Sequence, residues 1–126
     1  MADQPYFDKQ DQLTRIQAYV IPGENLFAVY DCKGGGTGFV GVTDRRIIFY
    51  DQAFITKKKS MVSIPYNQIV GIASVDEGLI FQTSEITLLT SAGNYTFVFR
   101  GGDKAHAAYR YIMGQLLNQA YPQLPG

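Results

Sequence analysis

Residues 38–51, GFVGVTDRRIIFYD, constrain this chain more than any other stretch. Two apolar runs, 39–42 and 47–50, flank the polar tetrapeptide Thr43-Asp44-Arg45-Arg46. Both runs are rich in β-branched and aromatic residues, which suit a pleated, half-buried surface. The pattern predicts an antiparallel hairpin, to which further strands add on either side.

Those strands are legible in turn. Residues 24–33, ENLFAVYDCK, place Leu26, Ala28 and Tyr30 on one face and Phe27, Val29 and Asp31 on the other. Residues 60–66, 69–75, 85–90 and 95–100 follow. The last alternates most cleanly, with Tyr95, Phe97 and Phe99 against Thr96, Val98 and Arg100. Pro65 confines its strand to an edge or an end, since proline donates nothing to a ladder. Residues 79–82 read as a short apolar connection. Gly34-Gly35-Gly36 reads as a turn. A phosphate-cradling loop needs a helix and a Lys-Ser/Thr pair straight after the glycines, and a strand pattern follows instead.

Two helices frame the strands. Residues 8–20 carry Leu13, Ile16 and Val20 at helical spacing, with Asp8 or Asp11 as the cap and Pro22-Gly23 as the stop. Residues 103–120 carry the stripe Ala105, Ala108, Ile112 and Leu116, widened by Tyr109, Met113 and Leu117, with Asp103 as the cap. The expectation is one α+β domain over residues 1–126. Residues 1–22 form an N-terminal helical extension. Residues 23–121 form a strongly bent, seven-stranded antiparallel sheet, a partly open barrel capped by the C-terminal helix.

The segments GEN, VTDRRIIFYD, KKKSMVSIPYNQIVGI and SEITLLTSAGNYTFVFR, followed by a helix, come in an order and spacing that resemble the bacterial pleckstrin-homology-like (PH-like) domains. The resemblance covers residues 22–120. Its most specific pieces are residues 42–48 and 64–69. It implies that fold and a non-catalytic binding or assembly module. Related eukaryotic domains bind phosphoinositides or protein segments on one scaffold, so the fold does not choose between ligands. Phosphoinositide binders of this kind place several Lys and Arg residues around the first hairpin loop. Here residues 33–37 hold a single one, Lys33. The resemblance also implies ring-like homo-oligomers.

The formal net charge is zero, which argues against a nucleic-acid partner. The basic cluster Lys57-Lys58-Lys59, together with Arg45, Arg46 and Lys33, supplies the candidate contacts for an anion, a lipid headgroup or a partner. An anionic membrane is the alternative ligand, not favoured on a balanced protein. For Arg45-Arg46 the favoured reading is structural, because an arginine in such a turn folds back onto the sheet. His106 has no acid or nucleophile assigned beside it, and Cys32 reads as a small buried hydrophobe. One histidine and one cysteine are too few to ligate a structural metal. No cofactor and no enzymatic activity are expected. A lone cysteine, the lack of an apolar leader and the lack of a run of roughly 20 apolar residues make the cytoplasm the expected compartment.

Self-association is the most specific expectation. Leu13, Ile16 and Val20 have little inner core left to pack on once the last helix has plugged the sheet. They pack either on the outer face of their own domain or across a subunit boundary, and the resemblance favours the boundary. Two stretches read as unpaired edges: residues 60–66, with Pro65, and residues 79–86, with Leu79 and Phe81 as contact residues. The expected assembly is a cyclic homo-oligomer larger than a dimer, with a protein or peptide segment as the other partner class.

Overall fold

A computed structural model describes residues 4–33, 37–51, 60–75 and 84–120. In chain order the elements are β1 (Tyr6–Phe7), α1 (Gln10–Gln17), β2 (Leu26–Lys33), β3 (Thr37–Thr43), β4 (Arg46–Asp51), β5 (Ser60–Pro65), a 3-10 turn at Tyr66–Gln68, β6 (Ile69–Val75), β7 (Ser84–Thr90), β8 (Gly93–Phe99) and α2 (Gly102–Ala120). All seven expected strands are present, and the order across the sheet is β5-β4-β3-β2-β8-β7-β6. The sheet is bent and not closed, with α2 against its inner face. The two-residue β1 was not expected. It pairs in parallel with β2, Tyr6 with Ala28 and Phe7 with Val29.

The central hairpin holds because its alternation is two-sided. Val40 pairs with Phe49 and Val42 with Ile47, and all four belong to the inner core. Phe39 pairs with Tyr50, and both belong to a second core on the outer face. Phe97 and Phe99 add their rings to the inner core, where Phe49 meets Phe97 edge to face at 5.2 Å. The helix α2 closes it with Ala105, Ala108 and Ile112, while Leu116 packs half-buried at the margin.

The outer core gathers Val29, Phe39, Ile48 and Tyr50 beneath α1, which contributes Leu13 and Ile16. Leu13 is 4% exposed and Ile16 is 0% exposed. Burying such side chains is worth about 1.5–3 kcal/mol each. Gly41 makes the contact possible: a Cβ there would sit 2.7 Å from Ile16 Cγ2. Of the stripe expected on residues 8–20, Leu13 and Ile16 are thus packed on the outer face of their own sheet, while Val20 lies beyond the helix, which ends at Gln17, and is half-buried.

Three local expectations are corrected. The first helix begins at Gln10, after Lys9, with no side-chain cap. Asp8 cannot serve, because its carboxylate is already held by Lys104 at 2.8 Å, by the Tyr6 hydroxyl at 2.6 Å and by the Asp31 backbone N–H at 2.9 Å. Asp103 lies inside the first turn of α2 rather than capping it, since Ala105 N–H already bonds the Gly101 carbonyl. The face assignment of Leu26 and Phe27 inverts. A bulge between Leu26 and Ala28 shifts the register, so Phe27 packs on the inner core and Leu26 on the outer one.

Candidate functional site

Only part of the sequence-predicted contact set falls within the described residues. Lys57, Lys58, Lys59, Leu79 and Phe81 lie outside the described residues. Lys33 is exposed at the end of β2, where it pairs with Val98 of β8. Arg45 lies at the other end of the β2–β3 pair, exposed, with only a 3.8 Å approach to the Asp44 carboxylate. A strand of seven residues separates the two positions by about 20 Å.

Arg46 is engaged by partners within the fold. Its Nε donates to Glu24 Oε2 and its Nη2 to Glu24 Oε1, both at 2.9 Å. It also donates to Ser63 Oγ and to the Tyr19 carbonyl. The Glu24 side chain is 1% exposed. Burial works to raise its carboxyl, but the bonds from Arg46 and Thr43 outweigh burial and hold it below the ordinary glutamate range. Four of the five guanidinium N–H donors of Arg46 thus pin the α1–β2 connection and β5 to the β3–β4 turn.

A second polar knot ties the N-terminal segment to the opposite end of the sheet. Asp31 accepts from Gln12 Nε2 at 2.7 Å and from Arg100 Nε at 2.5 Å, and Lys9 approaches to 3.5 Å. Burial pushes the Asp31 carboxyl up, yet the Gln12 and Arg100 bonds bring it below its usual value. Cys32 next to it is 5% exposed, and burial pushes its thiol up to about 12, so it stays protonated. His106 is exposed on α2 and borders an open depression of about 440 Å³ with Asp103, Arg110 and Tyr111, all exposed as well. Among the described residues no group of three or more metal-ligating side chains comes together. Nor is any helix among them long and apolar enough to cross a membrane.

What the fold does build is a groove of about 600 Å³ between β6 and α2. One wall is Tyr66, Ile69, Val70 and Ile72. The other is Tyr109, Met113, Leu116 and Leu117. None of the lining residues is charged. Tyr66 fixes the junction of the walls, because its hydroxyl donates to the Thr43 carbonyl at 2.5 Å while its ring is buried. Val70 is 77% exposed and Leu117 39% exposed on the rim.

The strand beside this groove ends the sheet. Among the described residues β6 pairs only with β7, so its far side presents backbone N–H and C=O groups. The sequence of β6, IVGIASV, holds no charge and no proline. These are the usual means of blunting an edge. At the other end of the sheet β5 carries Pro65, as expected for an edge. The second expected edge, residues 79–86, is described only from Ser84 on. Ser84, Glu85 and Ile86 belong to β7, which has β6 on one side and β8 on the other. Among the described residues the unpaired edge is the neighbouring strand, β6. The signal was present in the sequence as the absence of charge from residues 69–75, but the groove itself joins segments some forty residues apart and has no local pattern.

An edge with an apolar trough alongside can take an extended segment as an added strand. Main-chain bonds supply affinity, and alternate side chains enter the trough.

Comparison with known proteins fits this architecture. Residues 22–113 match the family model of the bacterial PH domain. The uncharacterized protein YozO of Bacillus subtilis is 27% identical over 85 residues, 68% of this chain and 72% of YozO. The pleckstrin homology domain structure from Shewanella amazonensis aligns with a TM-score of 0.58 at 22% identity, covering 89% of this chain and 94% of its own. A protein with a pleckstrin-homology domain from Shewanella loihica aligns with a TM-score of 0.61 at 20% identity, covering 86% and 94%. At those identities the solved structures show a common fold.

Proposed function

The chain belongs to the bacterial PH domain family, and on that scaffold we propose that it is a non-catalytic assembly module whose first partner is a further copy of itself. One observation carries the reading: an uncharged, seven-residue strand, β6, which among the described residues ends the sheet, runs beside an uncharged apolar groove. Such an edge is a ready template for another strand. The sheet also ends at β5, and the two edges differ. A contact from one edge to the other therefore repeats head to tail until it closes. The assembly is a homo-oligomer larger than a dimer.

Light scattering at micromolar concentration tests this. The parent chain should show more than twice the monomer mass. Val70→Lys combined with Leu117→Lys places two charges on exposed rim positions and should lower that mass. A monomeric parent chain, or a mass indifferent to the pair, rejects the reading.

A further inference from the structure

The flank of β2 that faces away from β3 is shared by two partners. Among the described residues β8 pairs with it only at Cys32 and Lys33, and beyond Phe99 the chain turns off into α2. β1 takes up the flank from there. Tyr6 pairs with Ala28 and Phe7 with Val29, in parallel. Asp8 extends this ladder twice over. Its N–H donates to the Val29 carbonyl at 3.2 Å, and its carboxylate accepts the Asp31 N–H at 2.9 Å, in the role a carbonyl of a longer strand would play.

This short strand is anchored mainly at its last residue. Lys104 of α2 binds Asp8 Oδ1 at 2.8 Å, and the Asp8 side chain is 9% exposed. The two residues before it are not sealed in: Tyr6 is 46% and Phe7 38% exposed. The Tyr6 ring leans on Tyr30 at 5.5 Å, and its hydroxyl turns back to Asp8. The β1 ladder stops at Ala28, short of Leu26 and Phe27, which begin β2. β1 also precedes residue 22, where the match to the family begins.

We propose that this flank is an acceptor site for an extended, acidic segment of another protein, and that β1 is a built-in competitor covering it. The site reads two things. The main-chain groups of Val29 and Asp31 take an extended backbone. Lys104 takes a carboxylate at the place of Asp8, and charge complementarity of this kind sets specificity. Asp8 shows that one segment can satisfy both demands. A partner that continues opposite Leu26 and Phe27 makes a longer ladder than β1, and that difference in affinity displaces β1. The site is built from β2 and α2, apart from the β6 edge, and needs no self-association.

The full chain tests this, with the labelled peptide of residues 4–10, QPYFDKQ, as the probe. Asp8→Pro removes both the N–H and the carboxylate that hold β1, while Leu13 and Ile16 still anchor α1. Circular dichroism and unfolding midpoints check that the variant folds. By fluorescence anisotropy it should bind the peptide about tenfold more tightly than the parent chain, the factor expected where β1 covers the site about nine-tenths of the time. Lys104→Glu should instead prefer the same peptide with lysine at its aspartate position. A folded Asp8→Pro chain that ignores the peptide, or binds it no better than the parent chain, overturns the proposal. So does a folded Lys104→Glu chain without the reversed preference. If Asp8→Pro does not fold, Lys104→Glu carries the test alone.

Discussion

Ile16 of α1 occupies the space that a side chain at Gly41 would fill: Cγ2 stands 2.7 Å from the position of the absent Cβ. A helix outside the matched family core has thus left its imprint on a strand inside it.

Gly41→Ala should destabilise by about 1–3 kcal/mol through overpacking. Ile16→Ala alone should cost about 2–5 kcal/mol. In the double variant the small side chain at 16 relieves the clash at 41, so the pair costs less than the sum. Denaturant midpoints of the four chains measure this. Strict additivity would show that α1 does not sit on Gly41.

The two adjacent arginines should behave oppositely. Arg46→Met leaves the buried Glu24 carboxylate without its cation and should cost about 3 kcal/mol. Arg45→Met, at an exposed position, should stay within about 0.5 kcal/mol. Equal effects in thermal or denaturant unfolding contradict the division of roles.

Leu116→Ala tests the docking of α2. The residue is half-buried against the inner core, so the loss should fall near the low end of the range for such truncations, about 2 kcal/mol. An unchanged unfolding midpoint would detach Leu116 from the stripe of Ala105, Ala108 and Ile112.

Acid should weaken the fold. Asp8, Glu24 and Asp31 are all held below the ordinary carboxylate range, against the opposing push of burial, by the hydrogen bonds they accept. Their folded state resists protons that the unfolded chain takes up, so unfolding gains ground as pH falls. The contribution is complete above the unfolded values of about 4 and disappears as pH drops through the folded ones. Asp31→Asn should be less stable at neutral pH and flatter in its acid dependence. The same acid slope in variant and parent would mean Asp31 plays no part.

The strands were legible because alternation is a local property. Tyr95, Phe97 and Phe99 could be placed inside without knowing what they touch. The helix stripe on α2 was legible for the same reason, at its own period. The bulge after Leu26 was not, since it depends on the partner strand. Arg45 and Arg46 are adjacent in the same turn, and which one meets Glu24 is settled by tertiary geometry alone. The face of α1 could be read as apolar, but the choice between its own sheet and a neighbour turned on a missing side chain at Gly41. The groove beside β6 joins two segments whose patterns say nothing of each other.

The division into two cores also orders events during synthesis. Every described residue of the outer core, from Leu13 to Met61, lies in the first half of the chain. The inner core waits for Phe97, Phe99 and the helix ending the fold. As the amino end leaves the ribosome first, α1 and the central hairpin have all their partners while α2 is still untranslated. One side of the sheet can thus be shielded before the other has any cover, leaving the inner aromatic face exposed for the longer interval.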